Sequence, residues 1–179
     1  ELNAENTHRT NGPNNMRGGK GDLVEGGHRV PFLVRWPGKI KPGTRSAETI
    51  SQTDMMATFA AILGKELPPG AGEDSYNVLP ALLGEKLPDR ERPLVFCSGG
   101  TGALSIRMGA WVYIEGQGDR GYREFFSGKP WPEPEPGDPP GQLYNLDTDL
   151  GETNNLYAQH PEIVERLKQK LEEIKAESH

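Results

Sequence analysis

The stretch RGGKGDLVEGGHRVPFLVRWPGKI, Arg17 to Ile40, decides how this chain reads. Its first half is glycine-rich and its second half is mostly apolar. Lys20 stands between Gly19 and Gly21. Glycine permits positive φ and close backbone approach. A lysine presented there can reach an anion alongside backbone N–H groups. The phosphate-loop patterns fail. Walker A needs Ser or Thr after the lysine, where Gly21 stands, and glycine where Asn14 stands; G-x-G-x-x-G is also missing. The residues alone leave two readings of Lys20, an anion ligand or a solvated turn residue. His8 and His28 flank the loop and are candidates to meet an oxyanion or a leaving group. Arg17, which opens the segment, joins them as a candidate substrate-binding residue. Arg29 reads as a structural ion-pair residue.

Working outward, Val30 to Trp36 is a short apolar run closed by Pro37-Gly38. It predicts a mostly buried strand, with Pro31 at its start, where proline is tolerated. Ser51-Gln52-Thr53-Asp54 carries a capping signature ahead of an apolar run. That predicts a helix over Asp54–Leu63, ended by Gly64. Val78 to Leu83 reads as a helical turn ended by Gly84. Leu94–Cys97, Ala103–Met108, Trp111–Glu115 and Gln142–Leu146 read as short strands, with a hairpin turn at Gly109-Ala110. Gly116–Gly141 holds six prolines and six glycines beside Tyr122, Phe125, Phe126 and Trp131. It reads as an ordered loop that covers something. His160-Pro161 starts the last helix, whose stripe is Ile163, Leu167, Leu171 and Ile174. The run from Tyr144 to Leu156 reads as a hydrogen-bonded turn that docks this helix. The expected division falls near residue 88, with strand and helix before it and antiparallel sheet and helix after it.

The composition sets limits. The chain has 179 residues, 23 glycines and 16 prolines, with 34% hydrophobic and 26% charged residues and a net charge of −6. Its longest nearly apolar run, Met55 to Leu63, falls far short of the roughly 20 residues that span a bilayer. A single cysteine, Cys97, excludes an internal disulfide framework and a multi-cysteine metal site. Ending an apolar strand, it is expected to be buried and inert. The glycines follow no triplet period, which excludes collagen. The chain opens Glu1-Leu2-Asn3 without methionine or a visible signal peptide, so either its start was removed or it is a piece of a longer protein. Residues 1–50 hold 8 Lys/Arg and 5 Asp/Glu, whereas residues 51–179 hold 12 and 21. The basic excess around Lys20 is compatible with an anionic ligand there.

Three segments together resemble the C-terminal portion of a type I sulfatase, of the arylsulfatase A-like family with the alkaline-phosphatase-type fold. The first is Arg17–Ile40. The second is TDMMATFAAILG (Thr53 to Gly64) followed by DSYNVLPALLG (Asp74 to Gly84). The third is RMGAWVYI (Arg107 to Ile114) with the later LYNLDTDLGETNNL (Leu143 to Leu156). Leu150 departs from the pattern, because members often carry proline there. The resemblance implies an α/β fold. Residues 1–88 would end the large α/β domain, and residues 89–179 would form a small α+β subdomain, an antiparallel sheet with a C-terminal helix.

The resemblance also implies a sulfuric ester hydrolase. The lysine of its G-K-G element contacts the substrate sulfate, and this role carries over to Lys20. Glu25, Gly26, Gly27 and Arg29 would hold the loop against the core. Family members use a formylglycine from a C/S-x-P-x-R motif, and Cys97-Ser98-Gly99-Gly100-Thr101 does not fit it. Their cation, usually calcium, is held by Asp and Asn side chains, and its ligands are expected upstream of Glu1. The implied partners are a small-molecule or glycan sulfate ester and the N-terminal remainder of the same protein, with no nucleic acid and no membrane. The expected location is periplasmic or secreted, and the chain alone is expected to be inactive. Two rival readings stand beside this one: a non-catalytic anion- or glycan-binding module, and a related phosphoesterase or phosphonate hydrolase.

Overall fold

A computed structural model describes residues 16–89, 91–98, 101–118 and 136–177. The chain forms two compact units. One comprises Glu1–Val30 with Arg92–His179; the other is Pro31–Glu91. The segment that carries Lys20 thus groups with the C-terminal sheet.

The first unit is built on a four-stranded antiparallel sheet in sequential order. Its strands are β1 (Leu94–Cys97), β2 (Leu104–Met108), β3 (Trp111–Glu115) and β4 (Gly141–Asn145). Met108 pairs with Trp111 across the turn at Gly109-Ala110. Gly109 takes a φ of 58° there, the left-handed conformation that such a tight turn needs. Most of the expected covering loop, including Tyr122, Phe125, Phe126 and Trp131, lies outside the described residues.

Side chains alternate faces along a strand, and both faces of this sheet are covered. On one face Ile106, Tyr113 and Leu143 pack against Val164, Leu167 and Leu171. Those three belong to the C-terminal helix Pro161–Glu177. The turn before this helix is tied to the sheet. Leu156 N–H donates to the Leu143 carbonyl (2.8 Å), and Asn155 Oδ1 accepts from Leu143 N–H (3.0 Å). On the other face Val112, Ile114, Tyr144 and Leu146 pack against Leu23 and Val24. Each such apolar side chain contributes about 1.5–3 kcal/mol on burial. The glycine-rich loop is therefore one wall of a core.

The second unit holds a capped 3-10 turn, Gln52–Asp54, that leads into helix α2 (Met55–Ile62), and a short α3 (Leu79–Leu82). The four-residue α1 (Glu25–His28) precedes them in the first unit, and the C-terminal helix is α4. The capping box forms as the sequence predicts. Asp54 Oδ2 accepts the Ser51 N–H (2.6 Å), and the Ser51 hydroxyl accepts from Thr53 N–H. Asp54 is fully buried, and its Oδ1 also accepts the Tyr76 N–H (3.2 Å). Thr58 links Asp54 to Val78 by hydrogen bonds. Val78, Ala81 and Leu87 form a small core with Ile50 and Met55.

Two expectations are corrected. Val30–Trp36 forms no strand, and Leu33 is 89% exposed. A buried strand needs a ladder partner on at least one edge, and no strand among the described residues pairs with it. Cys97 is exposed, not buried. It ends the edge strand β1, whose burial alternates, and its side chain falls on an exposed position.

Candidate functional site

The loop Arg17–Arg29 is folded by its own backbone. Asp22 N–H donates to the Gly19 carbonyl (3.0 Å), and Asp22 Oδ2 accepts the Gly19 N–H (2.8 Å). This turn leaves Lys20 exposed at its tip. Gly18 and Gly21 on either side both have φ of 88°. The neck is closed by two further bonds, Gly26 N–H to the Arg17 carbonyl (2.8 Å) and Gly21 N–H to the Gly27 carbonyl (3.1 Å). The backbones approach so closely that a Cβ on Gly27 would collide with the Asp22 carbonyl. Leu23 and Val24, 1% and 0% exposed, anchor the loop to the sheet.

Arg17 faces the sheet. Its guanidinium donates to the Tyr144 hydroxyl (3.1 Å), the Gln142 side-chain oxygen (3.0 Å) and the Glu152 carbonyl (2.6 Å). It also lies over the Tyr144 ring, 5.4 Å from the centroid. The Tyr144 hydroxyl donates in turn to Gln142 (2.8 Å), and Gln142 donates to the Gly116 and Gly118 carbonyls. The planar fork of arginine suits this several-way attachment.

Glu25 centres a buried charge cluster. Its carboxylate lies 2.8 Å from Arg29, 3.5 Å from Arg107 on β2 and 3.5 Å from His28 Nε2. Burial raises the Glu25 pKa, but the hydrogen bond from His28 and the charges of Arg107 and Arg29 outweigh it. The net pKa falls below the ordinary carboxylate value. Burial lowers that of Arg107, against the opposing pull of Glu25. The His28 ring stacks on Phe96, with centroids 3.9 Å apart.

The candidate residues are thus placed as follows. Lys20 is at the exposed tip. Arg17 and His28 sit at the two ends of the loop, in contact with the sheet. His8 lies outside the described residues. Reading the sequence missed Glu152, Gln142 and Tyr144 as the groups that hold the loop. The only signal was the motif from Tyr144 to Leu156, which reads as a turn and gives no hint of a distant partner. Among the described residues no group of three or more His, Cys, Asp or Glu could hold a metal ion.

This arrangement is a hydrogen-bonded loop that projects one lysine toward solvent, which is suited to holding an anionic group. Comparison with known proteins places it. The sulfatase family model matches residues 5–65. An N-acetylgalactosamine-6-O-sulfatase of Bacteroides thetaiotaomicron is 41% identical over 160 residues, 89% of this chain and 30% of the relative. Homo sapiens arylsulfatase A is 31% identical over 181 residues, 90% of this chain and 33% of its own length. A solved structure from Bacteroides thetaiotaomicron, reported with a locus for the metabolism of multiple glycosaminoglycans, superposes with a TM-score of 0.71. Its identity is 35%, over 90% of this chain and 32% of that one. The chain belongs to the sulfatase family and has its α/β fold. It spans about a third of the length of the relatives it matches.

Proposed function

We propose that this chain is the C-terminal part of an enzyme that hydrolyses sulfate esters, and that Lys20 is its contact to the sulfate group. The observation that carries this reading is the braced loop. Its tip holds an exposed ammonium, while its neck, Leu23 and Val24 are locked in the core. A positive charge held in place before the substrate arrives costs little reorganisation when negative charge builds on the sulfate oxygens. Lys20 would bind and orient the sulfate while the ester oxygen departs with the alcohol. The nucleophile is not in this chain, because its residues hold no C/S-x-P-x-R motif. The cation ligands are likewise assigned to the rest of the protein. Sulfated glycans are the substrate class to assay first, given the 41% identity to a relative named for N-acetylgalactosamine 6-sulfate.

The N-terminal remainder of the same protein is the partner. In the second unit Leu33, Leu63, Phe59 and Met56 are 89%, 72%, 57% and 49% exposed. A helix that is apolar nearly all round, as α2 is, belongs in a core. The rest of the protein supplies that cover. The test is Lys20→Ala in the full-length enzyme. Loss of one preorganised oxyanion contact should lower kcat about 100- to 1,000-fold, with Lys20→Arg partly active. An unchanged kcat/KM in Lys20→Ala would remove the reading. The 179-residue chain alone should show no turnover.

A further inference from the structure

Both ends of the lysine loop converge on one residue far along the chain. Arg17 donates through its guanidinium to the Glu152 carbonyl oxygen (2.6 Å), across 135 positions. The Glu25 N–H donates to Glu152 Oε2 (2.7 Å), across 127 positions. The Glu152 backbone and side chain together span the neck from which Lys20 projects.

The conformation of Glu152 is unusual. It has a φ of 51°, the only positive φ at a non-glycine position among the described residues. Its side chain is fully buried. A residue at such a φ favours glycine or asparagine, and a carboxylate resists burial. Glycine would relieve the backbone, but it would remove the acceptor for the Glu25 N–H. The turn that sets this conformation is itself held. Glu152 N–H donates to the Asp149 carbonyl (3.1 Å), and Asp149 Oδ2 accepts the Thr153 and Asn154 N–H groups (2.7 and 2.9 Å). A buried residue held at such a backbone conformation points to a role in what it holds.

We propose that Glu152 is a positioning residue for Lys20. It fixes the two ends of the loop to the sheet unit and so fixes where the ammonium stands. This rests on the reading that Lys20 contacts sulfate. Without the carboxylate, the Glu25 N–H is left buried and unpaired, and the neck loosens. Lys20 then spreads over more positions, and electrostatic preorganisation is lost.

The experiment is a double-mutant cycle in the full-length enzyme, with kcat/KM expressed per folded molecule and melting temperatures measured in parallel. Glu152→Ala is expected to lower kcat/KM about 10- to 100-fold, within the range that loosened positioning costs. Glu152→Gln keeps an acceptor oxygen for the Glu25 N–H and should stay within about 3-fold of wild type. The variant Glu152→Ala/Lys20→Ala should be no slower than Lys20→Ala, because the carboxylate acts only through that lysine. Val164→Ala, a core change on the opposite face of the sheet, is the comparator for plain destabilisation and should leave kcat/KM per folded molecule unchanged. Effects of Glu152→Ala and Lys20→Ala that multiply would overturn the proposal. So would a Glu152→Ala loss no greater than that of Val164→Ala. An unchanged kcat/KM in Lys20→Ala would instead overturn the sulfate-contact reading.

Discussion

The Arg29 guanidinium lies 2.8 Å from the Glu25 carboxylate, one helical turn along the same chain, and Glu25 is 1% exposed. Arg107 approaches the same carboxylate from β2 at 3.5 Å. The sequence marked Arg29 as an ion-pair residue, and the sheet adds the second cation. The Glu25 pKa is lowered in the fold. Its ionised form therefore stabilises the native state, fully at pH above the ordinary value of 4.5 and less as pH falls through the lowered folded value. Glu25→Gln should flatten that acid limb. It should also cost about 3–5 kcal/mol near neutral pH, because Arg107 loses its buried partner. Melting temperatures from pH 3 to 7 check both effects.

Gly27 and Gly19 belong to the same loop and differ in what surrounds them. A Cβ on Gly27 would meet the Asp22 carbonyl, whereas one on Gly19 meets nothing within 4 Å. Gly27→Ala should therefore destabilise by about 1–3 kcal/mol, the usual cost of overpacking, and should lower activity through the displaced Lys20. Gly19→Ala should stay within about 0.5 kcal/mol. Thermal melts and kcat/KM of the two variants, side by side, test the packing of the loop.

Phe59 on α2 and Leu63 directly after it are exposed. If the remainder of the protein covers them, the same substitution has two outcomes. Phe59→Ser or Leu63→Ser in the 179-residue chain should change stability by less than about 0.5 kcal/mol, as surface changes do. In the full-length protein each should cost about 2–5 kcal/mol, as core truncations do. Equal effects in both settings would argue that this face stays in solvent.

Tyr113 packs under α4 with 6% exposure. Burial first, then the neighbouring Tyr157 and Glu115, push its phenol up to about 12 from 10.0. The neutral form is the one the fold tolerates. Its contribution is complete below the ordinary value and is lost as pH rises toward the folded value. Tyr113→Phe should remove this part of the alkaline destabilisation, measured as a flatter fall in melting temperature above pH 10.

Much of the architecture was legible because its causes are local. Ser51 and Asp54 announced a helix start, Gly64 its end, and the spacing of Ile163, Leu167, Leu171 and Ile174 the face that α4 buries. The hairpin at Gly109-Ala110 needed only a flexible residue between two apolar runs. Val30–Trp36 read wrongly for the opposite reason. Its apolar pattern is that of a buried strand, but burial depends on a neighbour, and no described residue supplies one.

By itself the sequence determined the family, the helices, the four strands of the sheet, and Lys20 as the residue to watch. These follow from short-range signals: caps, periodicity, turn residues and a motif. Only the tertiary structure decided that Arg17 turns to Tyr144, Gln142 and Glu152. The same holds for the grouping of the Lys20 loop with the sheet and for Glu152 spanning its neck. Those choices rest on hydrogen bonds and burial between residues more than a hundred positions apart. No local pattern encodes which buried donor will meet which acceptor until the two faces of the sheet are filled.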